Sequence, residues 1–295
     1  MKNRRNIYLA VAMILGALAL SRFSVAQGQA PGLLVHAIKG AVYWTEGGGG
    51  GNTGIVIGQN GVIVIDAKTT PGSAKEMLGE IARLSPQPVT TVILTHSDAD
   101  HVNGLPAFPK GLTIIAQENC KKEMEAALNN PRMPAPRDYL PTKTIDKKES
   151  TEINGVHLTL LHFAPAHTSG DLMIYLPDQK IVFGGDMIDV TFPFALIHAQ
   201  KGGTSEGWIE TMKGLISLNA DTYVAGHGGL QTKADLQKLL AAVEERRAKI
   251  KELVSQGKSL AEVKQAFGET DAPATGPGLH FPSFTEVVYQ ELAKS

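Results

Sequence analysis

Short apolar runs alternate with amphipathic stretches along most of the chain. The runs GIVIG and VIVID are rich in β-branched residues, and Asn60-Gly61 between them is typical of a β-hairpin turn. Further apolar runs predict strands at 42–44, 91–95, 112–116, 156–163, 172–176, 180–183 and 221–224. Helical spacing predicts helices at 73–84, 119–128 and 208–218, the first opened by a capping box at Ser73 and Glu76. This alternation of strands and helices predicts an α/β fold.

The last part of the chain changes to a helical pattern. Two more capping boxes begin at Ser259 and Ser283, with a Pro- and Gly-rich stretch between them. We therefore expect one α/β domain over residues 33–235. Residues 236–295 are expected to form a helical extension that packs on the same domain. The proline-rich, charged stretch 131–150 predicts a loop.

Composition excludes several classes of protein. The 295 residues are 43% hydrophobic and 19% charged, which is a globular composition and excludes wholesale disorder or a coiled coil. The net charge of −1 gives no basic excess, so we expect no nucleic-acid partner. The single cysteine excludes an intrachain disulfide and cysteine-based zinc or iron–sulfur sites.

The N-terminal segment resembles an export signal. Three basic residues lie within the first five positions, and the apolar run 7–20 is shorter than the about 20 residues that a membrane span needs. Small residues follow at 24–26, where a signal peptidase would cut. We expect residues 1–26 to be a cleaved signal peptide, so that the mature protein is periplasmic or secreted and keeps no stable membrane anchor.

Histidine and aspartate residues are concentrated directly after the predicted strand 91–95. The six residues HSDADH carry two imidazoles and two carboxylates, which are ligands for divalent metal ions. Three further histidine or aspartate residues also follow predicted strands, where active sites are commonly built. The candidate metal ligands are His96, Asp98, Asp100, His101, His167, Asp186 and His227.

This order of residues resembles the metallo-β-lactamase superfamily over about residues 33–235. The family pattern is H-x-H-x-D-H followed by separate His, Asp and His residues, and six of the seven positions match. The departure is Asp98, which stands where the family usually has its second histidine. The resemblance implies a four-layer αββα sandwich with a two-metal site at one edge. It also implies that the glycine-rich loop 47–51 is a flexible flap over the site.

Glyoxalase II-like metallo-hydrolases of this superfamily provide the expected division of the ligands. By that resemblance Asp186 bridges the two metals, and Asp66 supports the site from behind. The first metal would take His96, Asp98 and His167, and the second would take Asp100, His101 and His227.

Two divalent ions explain the expected chemistry. Metal binding lowers the pKa of water from 15.7 toward about 7, and two ions can share the resulting hydroxide, which attacks a carbonyl. Asp100 is the candidate catalytic residue, because its carboxylate can orient the nucleophile and pass on its proton. We expect an exported metal-dependent hydrolase acting on a small-molecule ester, thioester, lactone or amide.

The metals and the substrate leave alternatives open. We expect two zinc ions, but the carboxylate of Asp98 adds negative charge and hardness that favour iron or manganese. Zinc β-lactamases often have cysteine or serine at position 186, so Asp186 favours the broader hydrolase group. The alternatives are a β-lactamase acting on β-lactam antibiotics, an iron-dependent redox enzyme, and a non-catalytic binding protein with a degraded metal site. His198 is either a simple loop residue or part of a substrate pocket, and the sequence does not indicate an oligomeric state.

Overall fold

The computed structural model describes residues 32–130, 135–269 and 282–293. The predicted signal peptide, residues 1–26, lies outside the described residues. Within them, two β-sheets face each other and helices cover the outer face of each sheet. The predicted α/β fold with four αββα layers and a C-terminal helical part is therefore confirmed. None of the helices in these three ranges is long and apolar enough to cross a membrane.

The first sheet contains seven strands in chain order. They are β1 (Leu34–Lys39), β2 (Val42–Glu46), β3 (Thr53–Ile57), β4 (Val62–Ile65), β5 (Val89–Ile93), β6 (Thr113–Gln117) and β7 (Lys143–Ile145). Strands β1 to β4 pair antiparallel, and β4 to β7 pair parallel. Parallel neighbours need a crossover, which α1 (Pro71–Leu84), the short α2 (Ala99–Val102) and α3 (Glu118–Ala127) help to provide.

The second sheet contains five strands in the order β12-β11-β10-β9-β8. They are β8 (Lys148–Ile153), β9 (Val156–Leu161), β10 (Met173–Leu176), β11 (Ile181–Asp189) and β12 (Thr222–His227). Only the pair of β11 and β12 is parallel, and α4 (Ser205–Ser217) connects these two strands.

Three apolar clusters hold the layers together. The central cluster lies between the sheets, where Ile63 and Ile93 of the first face Leu160 and Phe183 of the second. The outer face of the first sheet packs against α1 and α3. The outer face of the second packs against α4 and the C-terminal helices. Strands buried on both faces explain why their sequences are nearly continuous apolar runs.

The C-terminal helices are α5 (Lys233–Ser255), α6 (Leu260–Ala266) and α7 (Phe284–Ala293). Their apolar residues Val243, Val263 and Val287 belong to the same buried cluster as the outer face of the second sheet. Ser259 and Glu262 form the predicted capping box at the start of α6.

Two local predictions were wrong. Helix α1 begins at Pro71 with Thr70 as its N-cap, and its capping box joins Thr70 to Ser73 instead of Ser73 to Glu76. Proline suits the first helical position because its missing N–H has no partner there in any helix. The predicted loop 131–150 contains β7 and the start of β8. The cause is that β8 is an edge strand whose residues are half-buried or exposed, so it lacks an apolar pattern.

Candidate metal centre

All seven predicted ligand side chains meet at one end of the sandwich. The segment after β5 supplies His96 and Asp98, and the single turn of α2 supplies Asp100 and His101. The loop between β9 and β10 supplies His167. Asp186 lies within β11, and His227 ends β12. The structure thus brings together side chains that are up to 131 positions apart in the sequence.

The first group of side chains surrounds Asp98. Its Oδ2 lies 3.2 Å from His167 Nε2 and 3.8 Å from His96 Nε2. Both imidazole nitrogens are also 3.9 Å from Asp186 Oδ2. These three residues and Asp186 therefore face one common point.

The second group surrounds Asp100. Its Oδ2 lies 3.0 Å from His227 Nε2 and 3.6 Å from His101 Nε2. Asp186 also faces this group, with Oδ1 3.1 Å from His101 Nε2 and Oδ2 3.6 Å from His227 Nε2. Gly226 leaves the space that this carboxylate needs, since a Cβ there would lie 2.0 Å from Asp186 Oδ1. Asp186 thus lies between the two groups.

Three polar atoms at the centre of these groups are buried and make no hydrogen bond of good geometry: His96 Nε2, His101 Nε2 and Asp186 Oδ1. The last two lie 3.1 Å apart as an ion pair, and His96 Nε2 has no partner nearer than 3.8 Å among the cluster's carboxylates. Leaving such an atom unpaired costs about 1–3 kcal/mol, so buried orphans are rare and need an explanation. Imidazole nitrogens, once deprotonated, and a carboxylate oxygen are suitable ligands for a divalent ion. The residues present therefore fit the metals that the sequence pattern implies.

Asp66 and Thr95 hold the imidazoles of His96 and His101 at Nδ1, on the side away from the cluster. Asp66 Oδ2 lies 2.8 Å from His101 Nδ1, and it accepts a 2.7 Å hydrogen bond from Thr95 Oγ1. The same Thr95 oxygen lies 3.0 Å from His96 Nδ1. Partners at Nδ1 fix the ring orientation and leave Nε2 free for a metal. Asp66 has a φ of +64°, a strained backbone for a residue with a side chain, at the place where it supports the site.

Burial and opposite charges decide the protonation of the cluster. Complete burial and the neighbouring His101 hold the pKa of His96 well below its usual value, which favours the neutral imidazole that ligates metals. Burial of His167 opposes its charge, but hydrogen bonding to Asp98 and nearby carboxylates raise its pKa to about 10. Burial likewise opposes the charge of Asp186, yet His101 and the other imidazoles lower its pKa.

The cluster opens to solvent on the side of Asp100 and His227. Their side chains are 35% and 29% exposed, whereas those of His96, His101 and His167 are almost fully buried. Burial would raise the pKa of Asp100, but the charge of His101 and a hydrogen bond from His227 lower it overall. Asp100 is therefore an ionised carboxylate on the solvent-exposed side of the cluster.

The glycine-rich segment between β2 and β3 lies against the second group. Gly51 N donates a 3.1 Å hydrogen bond to Asp100 O, and its Cα is next to the ring of His101. Lys68 is fully buried and donates to Gly47 O at 3.0 Å and to Gly51 O at 2.9 Å. The segment lies where a flap was predicted, but Lys68 holds both of its ends. Burial lowers the pKa of Lys68 to about 8.

Several residues near the centre were missed or left undecided from the sequence. His198 directly precedes the 3₁₀ helix Ala199–Lys201, and Lys201 ends it. Both side chains contact the carboxylate of Asp98. Asp189 forms a further group with Asp186 and His227, and burial raises its pKa. A carboxylate three positions after Asp186 was a usable signal for Asp189. No local pattern marks Lys201.

Comparison with known families gives one match over most of the described chain. The family model described as "Metallo-beta-lactamase superfamily" matches residues 47–227.

Curated relatives share between 22% and 27% of their residues with this chain over the matched parts. The chain is 27% identical over 199 residues to 2,4-dinitroanisole O-demethylase subunit alpha of Nocardioides sp. (strain JS1661), covering 67% of this chain and 58% of that protein. It is 22% identical over 211 residues to linear primary-alkylsulfatase of Pseudomonas sp. (strain ATCC 19151), covering 57% and 39%. The chain thus spans about half the length of these two relatives. A metallo-beta-lactamase type 2 of Bacillus sp. (strain 170) is 23% identical over 190 residues, covering 62% and 68%.

Solved structures share the fold. A metallo-beta-lactamase from Pontibacter korlensis superposes with a TM-score of 0.61 at 22% identity, covering 72% of this chain and 99% of that one. A stereoselective inverting sec-alkylsulfatase from Pseudomonas sp. gives a TM-score of 0.69 at 16% identity, covering 88% and 50%. These matches do not specify the glyoxalase II-like branch, which stays a prediction.

Proposed function

Since the chain belongs to the metallo-β-lactamase superfamily, we propose that it is a two-zinc hydrolase acting on a small ester, thioester, lactone or amide. Members of this superfamily are metallo-hydrolases that bind two metal ions, often zinc. The observation that carries the proposal is the convergence of His96 Nε2, His101 Nε2 and Asp186 Oδ1, which are buried and make no hydrogen bond of good geometry. A solvated loop or a degraded site has no physical reason to keep these three atoms together.

The seven side chains divide into two proposed sets. His96, Asp98 and His167 would hold one ion, and Asp100, His101 and His227 the other, with Asp186 shared. When bound, the ions supply Lewis acidity and lower the pKa of water.

Asp100 is the proposed catalytic residue of this site. Its carboxylate faces the open side, is ionised, and lies 3.0 Å from His227 Nε2. It would accept a proton at Oδ2 from the attacking water and carry it toward the leaving group. The buried imidazoles of the site would exclude bulk water behind the substrate.

The test is metal content followed by a substrate panel. We expect two zinc ions per chain by elemental mass spectrometry on protein purified without chelators. The panel contains an ester, a thioester, a lactone, an amide, a chromogenic cephalosporin and an alkyl sulfate. Asp100→Ala is expected to lose at least about 100-fold in turnover, on the scale of a removed proton-transfer group. Asp178→Ala, a change in an exposed surface pair with His157, is the matched control.

Three other results would favour the alternative functions. Turnover of the cephalosporin alone would favour the β-lactamase alternative. Iron together with oxygen-dependent turnover would favour the redox enzyme. Absence of both metal and turnover would overturn the proposal in favour of a non-catalytic binding protein.

We also propose that the protein is exported to the periplasm or the exterior and acts on a small molecule there. The support is the N-terminal pattern of basic, apolar and small residues. Cell fractionation and N-terminal sequencing of the mature protein test this directly. A mature chain beginning near Gln27 is expected, and an intact N-terminus in the cytoplasm would contradict it.

A further inference from the structure

The carboxylate of Asp98 is held on its outer side by two neighbouring side chains. Asp98 Oδ1 lies 2.7 Å from Lys201 Nζ, and His198 Nδ1 lies 3.0 Å from both carboxylate oxygens. Only Oδ2 faces His167 and His96, at 3.2 and 3.8 Å. Asp98 therefore offers one oxygen to the cluster, from the position where the family usually places one imidazole nitrogen.

Lys201 itself is firmly placed. Besides Asp98, its Nζ donates to Ser97 O at 3.0 Å and to Ser97 Oγ at 2.8 Å, so each of its three protons has an acceptor. Ser97 Oγ in turn donates to Glu123. The ammonium is thus locked between the backbone that carries Asp98 and a helix behind it.

The turn that carries Lys201 is also tied to a predicted ligand. His198 N donates to His167 O at 2.8 Å, and Ser169 N donates to Lys201 O at 2.8 Å. The position of the ammonium is therefore fixed relative to both Asp98 and His167.

This arrangement has two consequences for a metal. A carboxylate and its paired ammonium together carry no net charge, and a neutral imidazole carries none either. An ammonium on Oδ1 competes with a metal for that oxygen and so disfavours binding through both oxygens. Zinc favours four compact ligands, whereas larger or harder ions such as manganese favour charged oxygen ligands and higher coordination numbers.

We propose that Lys201 controls metal selectivity at the first metal position, which His96, Asp98 and His167 form. By pairing with Asp98, Lys201 makes this carboxylate a one-oxygen, charge-compensated substitute for imidazole. The pairing therefore favours zinc over manganese and iron. The inference rests on the proposed two-metal centre. It reverses the interpretation that the charge of Asp98 by itself favours iron or manganese, because that charge is matched by a partner about 100 positions away.

The experiment compares metal selectivity in the Lys201→Met variant and a matched control. Metal-free proteins are equilibrated with buffered mixtures of Zn²⁺ and Mn²⁺, and the bound metals are counted by elemental mass spectrometry. Manganese bound to protein is identified by electron paramagnetic resonance. The control is Lys213→Met, which removes an exposed lysine paired with Glu244 on neighbouring helices.

We expect wild type and Lys213→Met to bind zinc in both positions. In Lys201→Met the ratio of manganese to zinc is expected to rise on the order of tenfold in one position, the scale of second-sphere substitutions. The double variant Asp98→His with Lys201→Met is expected to regain the wild-type ratio, because imidazole needs no ammonium. If Lys201→Met does not fold, Lys201→Gln, which keeps a donor without the charge, has the same expected shift.

Two negative results have different meanings. A wild-type protein that binds two metals, with an unchanged ratio in the folded Lys201 variant, overturns the selectivity role alone. A wild-type protein that binds neither metal overturns the proposed two-metal function, and the selectivity inference with it.

Discussion

Substituting Gly51 by alanine tests whether the glycine segment sets the position of His101. A Cβ at residue 51 would lie 2.2 Å from His101 Cε1 and 2.5 Å from His101 Nε2, where ordinary contacts begin near 3.4 Å. The backbone of Gly51 is outside the left-handed region, so alanine is conformationally acceptable there. The effect of the substitution is therefore steric and falls on one predicted ligand.

Neither partner in this contact has room to withdraw. Gly51 is held by hydrogen bonds to Asp100 O at 3.1 Å and from Lys68 Nζ at 2.9 Å. His101 is fully buried, and its Nδ1 is held 2.8 Å from Asp66. Removing the overlap needs a shift of about 1 Å, whereas metal–ligand distances tolerate only about 0.2 Å.

The magnitudes follow from this displacement. Misplacing a functional group by about 1 Å lowers a reaction rate on the order of 100-fold. We expect a loss of at least about that size in the metal affinity of the second position, which Asp100, His101 and His227 form. Overpacking a buried site costs about 1–3 kcal/mol in the free energy of unfolding. The first position, which does not contact Gly51, is expected to keep its ion.

Chelator competition and metal content per chain measure the first effect, and urea unfolding measures the second. Gly79→Ala is the control, because a Cβ at that helical position meets no atom within 4 Å. It should stabilise the fold by about 0.5–1 kcal/mol and leave metal binding unchanged. Two tightly bound ions and wild-type stability in Gly51→Ala would refute the steric reasoning.

Three further predictions concern the surroundings of the centre. Asp66→Asn should weaken the second metal position about 10–100-fold in chelator competition, since His101 Nδ1 loses its charged partner, and unchanged affinity would contradict this. Apparent metal affinity should rise with pH until about 10, because His167, with its raised pKa, must lose a proton before metal binds. A metal affinity that is constant from pH 6 to 9 in calorimetry would count against this prediction. Lys68→Met should lower the free energy of unfolding by about 1–3 kcal/mol in urea titration, since two carbonyls of the glycine segment lose their donor, whereas unaltered stability would show that water replaces the ammonium.

The sequence was most informative where chemistry is local. His96, Asp98, Asp100 and His101 lie in one window directly after a buried strand, so their proximity followed from the strand's end alone. Strands of the central layer were also predictable, because burial on both faces requires continuous apolar residues. Strand β1 was not predicted, since its residues are half-buried or exposed and show no apolar periodicity.

Long-range partners were not predictable in the same way. The pairing of Asp98 with Lys201 depends on a loop whose conformation is set by the packed molecule, and a lysine in a polar loop has no distinguishing pattern. The expectation for the metal drawn from the sequence therefore considered the charge of Asp98 without this partner. Asp66 differs, since it ends an apolar run and its position behind the site followed from the family pattern.

The segment that carries Lys201 also connects the centre to the C-terminal helices. Phe194 stacks on Phe284 of α7 with ring centroids 5.9 Å apart, and the guanidinium of Arg246 on α5 lies 4.9 Å from the Phe194 ring. Arg246 also lies 3.4 Å from the centre of the Phe267 ring. The family match ends at residue 227, before α5, α6 and α7. Helices beyond the family match therefore restrain the same segment that pairs with Asp98. Asp98 and the C-terminal helices are thus joined through one stretch of chain, residues 194–201.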